Sequence, residues 1–254
     1  MRRTALVVAG SAVLASFAVG EAQSPEPTLV HLDTPYIQAK DLTDIRLDFR
    51  RFSGDEDLTY TSLSLRYGLG HGAEGILRGS FAPRRTFGAV EHGGDDVELA
   101  IKYRPAQKGS PYAVMLGIAK PSTATQSDVV PTAGFMASMS SESVTAYFNP
   151  RAVLLKDNTL VGIGVGASAR LDKNFVIMGD YTFMAAGKNT RDTTTGEERQ
   201  RPIYGVALRY TSKAKCDASI DFGFANGTST TTGFGLTPAL NDFKAIFIGV
   251  AVRL

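Results

Sequence analysis

The sequence contains no tryptophan and only one cysteine, Cys216. A single thiol closes no intramolecular disulfide, so no disulfide framework holds the fold. Histidine is almost as scarce: His31, His71 and His92 are the three in the chain. No G-x-S-x-G motif accompanies them, and no His lies on a strand beside a Ser and an orienting acid, as a nucleophilic triad requires. The formal net charge of +2 over 254 residues gives no basic excess with which to hold nucleic acid. Beyond the N-terminal stretch no run of about 18 apolar residues occurs, which excludes a helical span there. If the remainder crosses a bilayer, it does so with strands.

What is present begins with an export signal. Arg2 and Arg3 precede a stretch from Ala5 to Val19 that is apolar or small apart from Ser11 and Ser16. Gly20-Glu21-Ala22 then ends in a small residue of the kind signal peptidase accepts. The reading is a cleavable Sec-type signal peptide over 1–22, a periplasmic N-terminal segment over 23–42 and a barrel domain over 43–254. No Cys lies near the cleavage point, so a lipoprotein anchor is not expected.

From Thr43 onward the chain alternates. In the last stretch, Phe243–Leu254, the residues Ile246, Ile248, Val250, Val252 and Leu254 share one parity, and Ala245, Phe247, Gly249, Ala251 and Arg253 share the other. Successive side chains of a strand point to opposite faces, so one face is aliphatic and the other small or polar. The pattern recurs at Thr43–Phe52, Thr59–Leu69, Glu74–Ala82, Asp95–Arg104, Pro111–Lys120, Val130–Ser140, Ser143–Leu155, Leu160–Arg170, Phe175–Phe183, Pro202–Thr211 and Ala218–Phe224. Pro150 interrupts the seventh run and predicts a bulge or break, since proline donates nothing to the ladder.

These runs predict an all-β fold: a single up-and-down antiparallel transmembrane β-barrel of about 12 strands. Short turns such as Gly68–Ala73, Ser141-Glu142 and Leu171–Asn174 alternate with longer polar connections at Pro83–Gly94, Pro121–Val129, Ala186–Arg201 and Asn226–Asp242. That asymmetry suits short periplasmic turns and longer outer loops. Charge is segregated as well. A lipid-facing Arg near mid-bilayer costs about 2–4 kcal/mol, and the aliphatic parity carries no charge in the centre of any clear strand. Aromatics gather near strand ends, Tyr67, Tyr103, Tyr112, Tyr210 and Phe175 at one side and Phe81, Phe183 and Phe224 at the other, as two interfacial belts would. A soluble sandwich would produce the same alternation. The export signal, the aromatic belts and the glycines on the non-aliphatic parity favour the barrel.

The stretch Thr28–Gly54, with LDFRRFSG at Leu47–Gly54, resembles the opening of a family of uncharacterised, porin-like bacterial outer-membrane β-barrel proteins. LRYGLGHGAEGILRGSF and GASARLDKNFVIMGDYTF resemble that family's strand–turn–strand hairpins. The resemblance implies a barrel near twelve strands without enzymatic activity, and it assigns no functional residues. One departure is Leu254, where many such barrels end in Phe.

On the inward parity stand Arg46, Asp48, Arg50, Arg66, Arg78, Glu98, Lys102, Arg151, Asp180, Arg209 and Asp221, the expected lumen-lining set. Basic residues outnumber acidic ones among them, so a water-filled lumen would favour anions. Inward Gly117, Gly162, Gly164 and Gly166 leave room either for a narrow pore or for close packing by an inserted segment. The expected function is a narrow passive channel in the outer membrane for small solutes, anionic ones included. The alternatives are a closed structural or binding barrel whose outer loops contact a partner and, ranked last, a barrel-embedded lipid hydrolase using His92. The partners implied are outer-membrane lipid, the barrel-assembly machinery and small solutes, with no nucleic acid; no cofactor is implied. Glu91, His92, Asp95 and Asp96 match no defined cation loop and read as a solvated stretch.

Overall fold

The computed structural model describes residues 28–53, 58–88, 90–105, 110–122, 128–212, 217–238 and 245–254. The signal segment and Cys216 therefore lie outside the described residues. Fourteen strands are present: β1 (Thr43–Phe52), β2 (Leu58–Gly70), β3 (Ala73–Phe87), β4 (Val90–Tyr103), β5 (Tyr112–Ser122), β6 (Val130–Ser140), β7 (Val144–Val153), β8 (Leu160–Arg170), β9 (Phe175–Ala186), β10 (Thr190–Arg191), β11 (Glu198–Arg199), β12 (Ile203–Ser212), β13 (Asp217–Ala225) and β14 (Ala245–Arg253). Twelve of them form a closed barrel; β10 and β11 form a separate two-stranded ribbon. Neighbours in the barrel are antiparallel, and the ring closes where Asp44–Phe52 of β1 face Arg253–Ala245 of β14.

The outward parity is aliphatic and exposed. Leu99, Ile101, Leu116 and Ile118 are each more than half accessible, Leu116 at 68%. The inward parity is buried and polar, with Arg50, Lys102, Glu98, Asp221 and Ser80 almost inaccessible. A sandwich would put its aliphatic face in the core. Here the distribution is inverted, as a closed sheet with hydrocarbon on the outside requires.

Three departures from the sequence pattern have local causes. The expected outer loop Pro83–Gly94 is largely strand, because β3 and β4 continue to a turn at Gly88. Pro83, which cannot donate, is absorbed in a bulge where the register shifts between Ala82 and Arg85. Gly93 and Gly94 face it with φ of 96° and 106°, a conformation a side chain resists. Opposite Asn149 and Pro150, the β6–β7 ladder skips Phe135 and Met136. The long loop after β9 carries the β10–β11 ribbon.

Candidate functional site

Among the described residues, two stretches that belong to no barrel strand occupy the lumen. The first is the segment before β1. Thr28 bridges Asp33, and the Leu29 amide donates to the Leu32 carbonyl at 2.9 Å, so residues 28–33 make a tight hairpin inside the ring. Asp180 of β9 caps it, accepting from the His31 amide at 2.6 Å, the Leu32 amide at 3.3 Å and the His31 ring Nδ1 at 2.8 Å. Asn149 donates to the Asp33 carbonyl, Lys102 to the Thr34 carbonyl, and the Gln38 amide donates to Glu74. Of the stretch read as a periplasmic N-terminal segment, 23–42, the part from Thr28 to Gln38 lies inside the ring.

The hairpin's apolar side explains the inward glycines. A Cβ at Gly164 would meet Leu32, one at Gly166 would meet Leu29, and one at Gly205 would meet Val30 and His31. Leu29, Val30 and Leu32 are fully buried on this wall. At about 1.5–3 kcal/mol for each such side chain, their burial is a substantial part of what holds the hairpin.

The second stretch, residues 226–238, was expected to form an outer loop. It folds inward instead, its Gly227 bridged to Pro238, with a 3-10 turn at Phe234–Leu236. Thr228, Ser229, Thr230, Thr231 and Thr232 are all buried. The physical reason is that the barrel presents acids to this hydroxyl-rich loop. The Thr231 hydroxyl donates to Asp96 at 2.6 Å, and the Thr232 amide donates to Glu98 at 2.9 Å. Leu236 lies over Gly162.

Three arginines tie the two stretches together. Arg50 donates to the carbonyls of Val30 and Gly227, Arg78 to the Asp33 carboxylate and the Thr230 carbonyl, and Arg151 to the carbonyls of His31 and Gly235. Above them, Asn189 at the foot of the β10–β11 ribbon donates to the Leu236 carbonyl, and Thr193 of the same loop lies against Gly88 in the β3–β4 turn. The ribbon therefore reaches across the mouth at the β3–β4 turn, the one expected to face outward.

All eleven residues of the expected lumen set are buried. Arg46 pairs with Asp48 and Asp221, both at 2.7 Å, and Arg209 also pairs with Asp221. Sequence reasoning missed three acids: Asp33 on the hairpin, Glu74 at the start of β3 and Asp96 in β4. Glu74 takes Lys102 at 2.6 Å. With these, the buried charges among the described residues number seven cations (Arg46, Arg50, Arg66, Arg78, Lys102, Arg151, Arg209) and seven anions (Asp33, Asp48, Glu74, Asp96, Glu98, Asp180, Asp221). The excess of basic charge is thus cancelled in this state. Glu74 and Asp96 were legible in principle, since both fall on the inward parity of their runs.

The histidines are dispersed. His31 is in the hairpin, His71 in the β2–β3 turn with φ of 53°, and His92 packs edge-on against Tyr60 at 6.1 Å. Glu91 and Asp95 are exposed whereas Asp96 is buried, so those acids divide between faces. Among the described residues no group of three or more His, Cys, Asp or Glu is arranged to hold a metal.

Two hairpin groups have shifted titration. Burial would raise the Asp33 carboxyl, but Arg78, Arg66 and Lys102 hold it well below the usual carboxylate range. Burial lowers the His31 imidazole; Asp180 opposes this, while Arg50 and Arg151 add to it. Among the described residues His31 Nε2 has no hydrogen-bond partner, as a neutral ring tolerates better than a charged one.

At the mouth where β1 begins and β14 ends, the one expected to face the periplasm, a cavity of about 200 Å³ remains, lined among others by Thr28, Arg46, Arg66, Arg209, Arg253, Asp44 and Asp217. Arg253 pairs with Asp44 at 2.9 Å and with Asp217 at 3.5 Å.

No protein-family model and no curated protein matches the chain. Its fold is that of solved porin-like outer-membrane barrels. It is similar to an outer-membrane channel from Pseudomonas putida F1, with TM-score 0.56 and 11% identity, covering 86% of this chain and 97% of that one. The NanC porin gives TM-score 0.53 and 12% identity over 84% of this chain and 100% of that one. The KdgM porin gives 0.50 and 12% over 82% and 98%.

Proposed function

We propose that the protein is an outer-membrane channel for small solutes, held shut by the 28–38 hairpin and the 226–238 loop. The carrying observation is that both stoppers are separate from the barrel wall and, beside the burial of a few leucines, are fastened by many polar contacts that water or solute can replace. Without them, Arg50, Arg66, Arg78 and Arg151 lose their shortest contacts, and the acids Asp96, Glu98 and Asp180 lose a partner each. The opened lumen keeps all seven cations of the strands and loses one anion, Asp33, so the conductance has a modest preference for anions. The aliphatic exterior and the fold shared with porin-like barrels support a location in the outer membrane.

A planar-bilayer recording tests this. The full chain should be mostly closed, and a variant with residues 226–238 replaced by a short linker should conduct far more often, passing chloride better than potassium. The balance of seven cations against seven anions favours a second reading, a permanently closed barrel. That reading is correct if the shortened variant folds and remains electrically silent.

A further inference from the structure

We infer that Arg66 and Arg78 form a carboxylate-binding site inside the barrel, occupied in this state by the chain's own Asp33, and that a small organic acid competes with Asp33 for it. The solute class so named rests on the channel reading above; the site itself does not.

Asp33 is the one buried acid in the lumen that the barrel wall does not carry, among the described residues. Its carboxylate spans both guanidinium groups, Oδ1 at 2.6 Å from Arg66 Nη2 and Oδ2 at 3.0 Å from Arg78 Nη1. Strand-borne acids lie farther from the same arginines, Glu74 at 3.5 Å from Arg66 and Glu98 at 3.4 Å from Arg78. The short, charge-assisted contacts of the pair therefore go to a removable group. Other ion pairs of the lumen run from strand to strand, as in Arg46–Asp221 and Lys102–Glu74. Two arginines on adjacent strands holding one carboxylate end-on are a recognition geometry, and the carboxylate of a free acid fits it as well as Asp33 does.

Access is the second observation. Arg66 lines the periplasmic cavity and also holds Asp33, so an acid entering that cavity meets Arg66 beside the hairpin. Asn149, which donates to the Asp33 carbonyl at 2.9 Å, is placed to take a further oxygen of the incoming acid once the hairpin moves. The hairpin is then a tethered competitor. A site filled about nine-tenths of the time or more by its own tether shows an affinity for free ligand lowered about tenfold or more.

The test is calorimetric titration of glutarate into the detergent-solubilised full chain and its Asp33→Asn variant, with chloride at equal ionic strength as the control. Asp33→Asn should bind glutarate at least about tenfold more tightly than the parent, and chloride should give no comparable heat. Adding Arg66→Gln to Asp33→Asn should abolish the gain. Asp33→Ser serves as the second vacancy variant, and retention of the barrel is read from heat-shifted mobility in gels. Equal binding by parent and folded vacancy variants, or none by either, overturns the proposal. Glutarate binding in a barrel that never conducts, even with 226–238 shortened, leaves the site standing and removes the channel reading.

Discussion

Replacing Gly205 with alanine should loosen the hairpin while leaving the barrel at least as stable. Gly205 lies on the inward face of β12, opposite Asp180 and Ala225. The nearest heavy atoms to an added Cβ all belong to the hairpin: Val30 Cγ1, then His31 Cε1 and Val30 Cβ, both at 2.9 Å. No wall atom is among these three, so the closest clash falls on the stopper. The backbone there has no left-handed φ, and alanine in place of strand glycine should add about 0.5–1 kcal/mol to the sheet. Overpacking against Val30 should take about 1–3 kcal/mol from docking. Converted at 1.4 kcal/mol per decade, the undocked population rises about 5- to 150-fold. The readouts are open probability in planar bilayers and labelling of a reporter, Leu29→Cys in a Cys216→Ser background, by an impermeant maleimide. Gly179→Ala is the control, because its Cβ would face only the Gly205 carbonyl at 3.3 Å. If Gly205→Ala changes neither opening nor labelling while raising barrel stability like the control, the hairpin is not seated as described and the reasoning fails.

Other consequences can be checked with the same assays. Asp180→Asn removes the charge from the cap that receives three hydrogen bonds from the hairpin, two of them backbone. At about 1.5–3 kcal/mol for a bond to a charged group, labelling of the reporter should rise by about tenfold or more. Acid should act in the same direction. His31 titrates below its ordinary 6.5 when docked, so its contribution to closure is present above that value and is lost as pH falls through the depressed one. Lowering the pH from neutral should therefore raise labelling, and His31→Gln should flatten that profile; an unchanged slope would show that another group titrates. Shortening 226–238 should raise open probability more than any single substitution, since it removes one stopper and the partner of Asp96 and Glu98.

Where the alternation was strict, the sequence located strands to the residue: Thr43–Phe52 and Leu160–Arg170 are the bounds found for β1 and β8, and the weaker run Val130–Ser140 has the bounds of β6 as well. A sheet with unlike media on its two sides imposes period two so strongly that register and parity follow. The stoppers were harder. Asn226–Asp242 has the composition of a solvated loop, and its described part, 226–238, is drawn inward by groups on distant strands, the acids Asp96 and Glu98 and the arginines Arg50, Arg78 and Arg151. The Thr28–Asp33 stretch is too short to show periodicity. Its best clue was Leu29-Val30-His31-Leu32, unsuited to open water, together with the glycines at 162, 164 and 166, whose missing side chains are the mould of the leucines they receive. Glu74 and Asp96 escaped notice because they fell at or next to the start of the runs read from the alternation, where polar residues pass for surface; β4 in fact begins at Val90 and holds Asp96 in mid-strand.

The seam between β1 and β14 also bears on how the molecule is made. It joins residues as distant as Asp44 and Arg253, 209 positions apart, so it is the last pairing the growing sheet can complete. The hairpin sits immediately ahead of β1. During assembly it can lie on an unfinished, curved ribbon and be enclosed when the final strand docks. No end of the chain has to be threaded through a finished ring, and a polypeptide missing its last strand would leave its stopper unhoused.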